Sequence, residues 1–379
     1  MGYIIHGTLS TILPFLIVLT VLVFVHELGH YLSARRNGVK VQIFSIGFGP
    51  ELLGWTDRTG TRWKLSLIPI GGYVKMFGDA DVASMPGEAV EEMTEEEKAF
   101  SFFHKRLVQR AEIVAAGPAA NFLFAIVVLA GFFMTVGQPF TPAEIGEIIP
   151  GSAAEQAGLQ AKDKIVAIND KAIERFEDIQ QIVGLDDGEP LQLRVQRAGQ
   201  ELTVTATPSV EEEKDLFGNV HRIGRLGIKR TGTEFLRRDP VSAVWRAVGE
   251  TWSIAAGTLQ AAGQMVMGRR TADELGGPIA IAQMSGVVAS VGFVDLIRFM
   301  ALLSVNLGLI NLFPIPILDG GHLMFYAAEA IRGRPLGQRA QEYGFRVGLA
   351  LVLTLMIFVT WNDLVHRTGV IPFLKNLLS

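Results

Sequence analysis

The sequence predicts a polytopic α-helical membrane protein with four transmembrane helices, a β-hairpin and one inserted α+β domain. Three observations predict it. The 379-residue chain is 49% hydrophobic with a mean hydropathy of +0.33, more apolar over its whole length than soluble domains are. Four stretches carry roughly 20 apolar residues each, the length a bilayer demands. Between the second and third stretch, from about residue 141 to 230, the composition becomes that of a soluble domain.

The first stretch, residues 9–33, ends in His26-Glu27-Leu28-Gly29-His30. It reads as a retained span rather than a cleaved signal peptide, because no basic region precedes it and no small-residue cleavage site precedes His26. His6 at the sixth position breaks the myristoylation pattern. A loop follows, in which residues 62–68 alternate polar and apolar, Pro69-Ile70-Gly71-Gly72 makes a turn and residues 73–77 continue as a strand, so a hairpin is expected. The acidic run at 88–97 reads as a solvated loop or short exposed helix. The second stretch is 111–136. Residues 240–268 repeat apolar residues at helical spacing (Val244, Trp245, Val248, Trp252, Leu259), as an interfacial helix or one packed on the inserted domain would. Gly276-Gly277-Pro278 reads as a loop leading into the third stretch, 294–313. The fourth is 343–361. As segments, these are 1–36, 37–104, 105–138, 139–232, 233–290, 291–322 and 340–363.

Basic residues set the orientation. Arg35, Arg36 and Lys40 follow the first span; His104, Lys105, Arg106 and Arg110 precede the second; Arg332, Arg334 and Arg339 separate the third and fourth. All fall on one side, which is then cytoplasmic, with the inserted domain outside; Arg367 and Lys375 oppose this but are fewer. A net charge of -4 gives no reason to expect a nucleic-acid partner. With no cysteine there is no disulfide, thiolate ligand or cysteine nucleophile.

His26 and His30, four apart on a helix, share one face and suit one zinc ion, with Glu27 beside them to move a proton. A catalytic zinc needs a third protein ligand and an open fourth position. Asp319 is the candidate. It lies in Asn311-Leu312-Phe313-Pro314-Ile315-Pro316-Ile317-Leu318-Asp319-Gly320-Gly321-His322, at the cytoplasmic end of the third span and level with His26. Prolines and glycines break the helix there, and broken backbone at membrane depth belongs against protein or a wet cavity. Asp319 as a turn residue before Gly320-Gly321 is the alternative. His322 and His104 read as interfacial residues.

H-E-x-x-H in the first span with Asn-x-x-Pro-x-x-x-x-Asp-Gly in a later one resembles the site-2 protease family of intramembrane zinc metalloproteases, in its regulator of sigma-E protease branch. The inserted segment resembles a PDZ domain of the bacterial, circularly permuted type. The matching pieces are Gly151-Ser152-Ala153-Ala154, Ala157-Gly158-Leu159, Asp163-x-Ile165 leading to Asn169-Asp170, and Gly224-Arg225-Leu226-Gly227-Ile228 as peptide-binding loop and strand. Lys162 stands where the family commonly has glycine, and there is room for one such domain, not two.

The resemblance implies one zinc per chain on His26, His30 and Asp319, Glu27 as the catalytic residue, and Asn311 and Pro314 contacting or positioning substrate. It matches Gly117-Pro118-Ala119-Ala120-Asn121 to an element near the active site, though a helix–helix hydrogen bond is an equal reading of Asn121. It likens the hairpin around Tyr73 to a membrane-associated β-loop that accepts unwound substrate, and it assigns Gly227 and Ile228 to binding peptide C-termini. It implies transmembrane substrates, namely anti-sigma factors or remnant signal peptides, cut in a bacterial inner membrane. A membrane-anchored PDZ scaffold with a non-catalytic metal site is the competing reading.

Overall fold

The computed structural model of the chain describes residues 2–78, 93–186, 188–214, 220–230, 232, 234–268 and 275–367. In chain order it runs α1 (Gly2–Arg36), β1 (Val41–Thr56), β2 (Arg62–Met76), α2 (Glu95–Lys98), α3 (Leu107–Thr135), β3 (Gln138–Phe140) and β4 (Ile145–Ile148). Then come α4 (Ala153–Gln156), β5 (Lys164–Ile168), β6 (Lys171–Ala172), α5 (Phe176–Gly184), β7 (Leu191–Arg197), β8 (Gln200–Ala206), β9 (Ser209–Lys214), β10 (Val220–Arg225), β11 (Ile228–Arg230) and β12 (Glu234–Leu236). The chain continues through α6 (Pro240–Val266), α7 (Pro278–Val291), α8 (Phe293–Asn311), α9 (Asp319–Arg332) and α10 (Gln338–Arg367). It divides into two compact units: residues 1–130, 244–262 and 276–364, and residues 131–243, 263–275 and 365–379. Part of the acidic run, 88–92, lies outside the described residues.

Four described helices are long and apolar enough to cross a membrane: Ser10–Arg36, Leu107–Thr135, Phe293–Asn311 and Arg339–Val365. The last shows how such a helix differs from a soluble one. Val347, Leu351, Leu355, Phe358 and Trp361 are all exposed, which only a lipid surround makes inexpensive.

In the first unit α1 is the central post. Val18 and Leu22 pack with Leu296 and Met300 of α8. Nearer the basic end of α1, Ala34 joins Phe44, Val74, Met76, Phe102 and Ile113 in a second core.

The hairpin differs from expectation. Its strands are β1 and β2, paired antiparallel, and the connection is at 57–61. Pro69 to Gly72 is a bend inside β2 rather than the turn. Gly47, Gly49 and Pro50 punctuate β1 and hid it as a strand. Residues 43–46 lie beside 62–65 on one side and 72–75 on the other, while 51–56 flank 62–66. The two strands therefore curl into four rungs, and 72–76 is an outer rung. Asp57 ties the far end to α1, accepting from Tyr31 Oη (3.2 Å) and Trp63 Nε1 (2.9 Å).

Before the third span, Gly276 and Gly277 are irregular and Pro278 opens α7, an apolar 14-residue helix packed on α1 and α8. The carboxylate of Asp363, on α10, accepts from the backbone N–H groups of Gly277 (3.1 Å) and Ala280 (3.0 Å). Those donors lie in the first turn, where a helix leaves N–H groups unpaired and favours an anion. Asp363 is fully buried. Asp363→Leu strands the two donors, a loss of about 1–3 kcal/mol. The expected result is a lowered melting temperature in detergent, and an unchanged one would show that the cap carries no stability.

The second unit has a four-stranded sheet in the order β6-β5-β7-β8, with two-stranded ladders β4–β11, β9–β10 and β3–β12. Ile145, Ile165, Ile168, Leu193 and Val195 form its core with Ile179 and Val183 of α5. Ser152 caps α4 by accepting from the Glu155 N–H. Lys162 has φ 72°, a left-handed conformation that glycine adopts at least cost.

Asp163 is buried here, and Arg197 grips it through Nε (2.7 Å) and Nη2 (2.6 Å). Burial alone would raise its pKa; the Arg197 and Gln160 hydrogen bonds outweigh that and hold the carboxyl below its ordinary value. A carboxyl depressed on folding stabilises above its unfolded pKa of about 3.9 and loses that contribution as pH falls through the folded value. Asp163→Asn should therefore unfold more readily than wild type at neutral pH. The gap should close as pH drops below about 4. A gap constant with pH would sink this account.

Candidate metal centre

The last third of α1 carries the two histidines toward α3 and α9. α3 admits them because Gly117 has no side chain. A Cβ there would overlap His30 Nε2 and stand 2.9 Å from His26 Cε1. Pro118 cannot donate to the Val114 carbonyl, which loosens α3 at the same level. Gly29 lets the helices meet, since a Cβ on it would overlap the Ala116 carbonyl.

The third span breaks as expected. α8 ends at Asn311, a turn follows, and α9 begins at Asp319. Gly320 and Gly321 sit under the carbonyls of Leu312, Phe313 and Ile315, where a Cβ would clash. Ile317 has φ 125°, a costly conformation for a β-branched residue and one that persists only where surrounding structure imposes it.

These elements bring His26, His30 and Asp319 together, with one ligand atom of each within 4.8 Å of the others. The two Nε2 atoms are 3.2 Å apart. Asp319 Oδ2 lies 3.1 Å from His26 Nε2, and Oδ1 lies 3.5 Å from His30 Nε2. His30 Nδ1 is 2.9 Å from the Ile113 carbonyl. That acceptor requires the proton on Nδ1 and leaves a lone pair on Nε2. In the neutral ring the His30 lone pair thus faces a second nitrogen and a carboxylate, and buried Asp319 Oδ2 has only the ring nitrogen of His26 within reach. A cation resolves this crowding of electron-rich atoms, and two imidazoles with one carboxylate are a donor set that suits zinc.

Glu27, Asn311, Tyr73 and His322 line a cavity of about 200 Å³ with the three ligand candidates. Gly72, Tyr73 and Val74, on the outer rung of the sheet, form one wall. Gly72 on that rung comes close to Glu27, since a Cβ there would stand 3.3 Å from Glu27 Cγ. α9 is held by an ion pair between Arg110 of α3 and Glu329 (2.6 Å), with Arg110 also over the Tyr326 ring.

Pro314 and His322 sit elsewhere than the sequence suggested, while Asn121 makes the helix–helix contact that was one of its two readings. Pro314 is exposed in the turn and is not part of the cavity wall. Asn121 is fully buried; its side chain meets His26 (3.1 Å) and does not open on the cavity. His322, read as interfacial, lines the cavity. The spacing held the signal, because a residue three beyond Asp319 on a helix beginning there shares its face. Gly227 and Ile228 belong to the second unit, where they border a groove of about 670 Å³ with Ser152, Ile179 and Val183.

The model of Peptidase family M50 matches residues 14–355. A protein of Agrobacterium fabrum whose name includes the words zinc metalloprotease is 48% identical over 363 residues, covering 94% of this chain and 96% of its own. One of Rhizobium meliloti with the same words in its name is 45% identical over 359 residues, covering 93% and 96%. Metalloprotease MmpA of Caulobacter vibrioides is 38% identical over 398 residues, covering 98% and 100%.

Proposed function

From the premise that this chain belongs to peptidase family M50, whose members use zinc, we propose that it is an intramembrane endopeptidase that cuts transmembrane segments of single-span membrane proteins. The observation that carries the reading is one cavity holding His26, His30 and Glu27 of a helix of membrane length together with Asp319 at the start of α9, with an outer β-rung as its wall.

His26, His30 and Asp319 would hold the ion. Zinc, when bound, supplies a positive charge that polarises the scissile carbonyl and acidifies the attacking water. Glu27 takes the proton of that water and returns it to the leaving amine. The close approach of Gly72 keeps the Glu27 side chain at the cavity. A transmembrane substrate is helical, so its peptide bonds are internally hydrogen-bonded and must be unwound before attack. Residues 72–76 offer a strand edge that would receive the unwound backbone, with Tyr73 and Asn311 beside it.

The second unit reads as a single PDZ domain, with Gly227-Ile228 as its binding strand. It would screen substrates or hold a newly exposed C-terminus. Anti-sigma factors and remnant signal peptides fit this use, in the inner membrane with the basic loops cytoplasmic.

The test uses purified protein in liposomes with a single-span peptide and, separately, an unfolded soluble protein. Cleavage of the first alone, abolished by a chelator and by Asp319→Ala together with loss of bound zinc, is the expected result. Equal cutting of both substrates, or persistence of cleavage in Asp319→Ala, would overturn the proposal.

A further inference from the structure

The geometry points to Asn121 as a positioning residue that decides which nitrogen of His26 faces the ion. This rests on the reading of His26, His30 and Asp319 as ligands. A neutral imidazole has one N–H and one lone pair, so a ligand nitrogen requires the proton on the other nitrogen, and that proton requires an acceptor. For His30 the acceptor is the Ile113 backbone carbonyl at 2.9 Å. His26 Nε2 faces His30 and Asp319, which leaves Nδ1 to carry the proton. Nδ1 lies 3.1 Å from the Asn121 side-chain amide nitrogen.

With that nitrogen donating, His26 would carry its proton on Nε2, directed into the ligand cluster. A half-turn of the amide puts Oδ1 in the same place, where it accepts from Nδ1–H and leaves the Nε2 lone pair for the ion. The two orientations occupy the same volume. Nothing else among the described residues holds the amide, because Oδ1 is buried with no hydrogen-bond partner. A fully buried amide with one partner is costly, and its use here is to set the tautomer of His26.

Its backbone is fixed where this use needs it. Ser304 Oγ donates to the Asn121 carbonyl (2.9 Å), and α8 approaches closely, since a Cβ on Gly308 would stand 3.3 Å from Asn121 Cβ. Each ligand histidine then has its own acceptor on α3: a backbone carbonyl for His30 and a side chain for His26. Only the second is open to substitution.

The experiment measures zinc affinity by chelator competition on the full chain in detergent, for wild type, Asn121→Leu and Asn121→Asp. Leucine keeps the volume and removes the acceptor; affinity should fall about 10- to 100-fold, the usual effect of losing an outer-shell partner. Aspartate retains an acceptor and should stay within a few-fold of wild type. Wild-type affinity in the leucine variant, or an equal loss in both, would overturn the inference. Should the leucine variant fail to fold, nitrogen-15 histidine spectra of the zinc-loaded wild type decide: a proton on His26 Nδ1 supports it, and one on Nε2 sinks it. His30→Ala is the control. If it binds zinc as wild type does, the ligand reading itself has failed, which the Asn121 variants alone would not reveal.

Discussion

Glu27→Gln is expected to lower cleavage of a membrane substrate by roughly 10²- to 10⁴-fold, the usual worth of a positioned proton-transfer group, while leaving bound zinc unchanged. Glutamine has the same shape, but it cannot take a proton from water. The surroundings make this a clean substitution. Gly72 brings β2 close to Glu27, with a Cβ there only 3.3 Å from Glu27 Cγ, so the side chain has little freedom to compensate. Zinc analysis and timed cleavage on the same preparation check both halves. Retained cleavage would favour a scaffold with a non-catalytic ion.

Gly117→Ala is expected to lose most zinc binding and, with it, activity. The new methyl overlaps the His30 ring. Making room for it means giving up the close contact of α1 with α3 where Gly29 meets the Ala116 carbonyl. Over-packing of this kind costs about 1–3 kcal/mol, or roughly 5- to 150-fold in affinity at 1.4 kcal/mol per tenfold. Metal content after dialysis against a weak chelator reads it directly. Full zinc occupancy would mean that α1 and α3 separate more easily than their packing suggests.

What the sequence made legible follows from how local each signal is. His26 and His30 needed only the helical repeat. Asp319 needed a broken span and a shared depth, both written in Pro314, Pro316 and Gly320. The anchor of α7 was hidden, because Asp363, which holds its start, is 86 residues from Gly277. β1 was hidden because its glycines break the alternation that marks a strand. The His26–Asn121 contact joins residues 95 apart, and nothing within either helix announces it. Gly117 was visible as a small residue; that it makes room for two imidazoles was not.

The position of the two histidines along α1 also acts as a depth gauge. His26 and His30 precede Arg36 by 10 and 6 residues. At a rise of 1.5 Å per residue the ion would lie roughly 9–15 Å from the basic end of the helix. Half the hydrocarbon thickness is about 15 Å, so on the proposed reading, with Arg36 at the boundary, the reaction level would fall between headgroup and midplane. Bonds near the centre of a straight substrate helix then lie beyond reach unless that helix slides toward the basic side. Substrates with glycine, proline or polar residues about 6–10 residues from that boundary, counted by the same rise, should be cut fastest. Moving such a helix-weakening pair one turn deeper should slow cleavage without changing its chemistry.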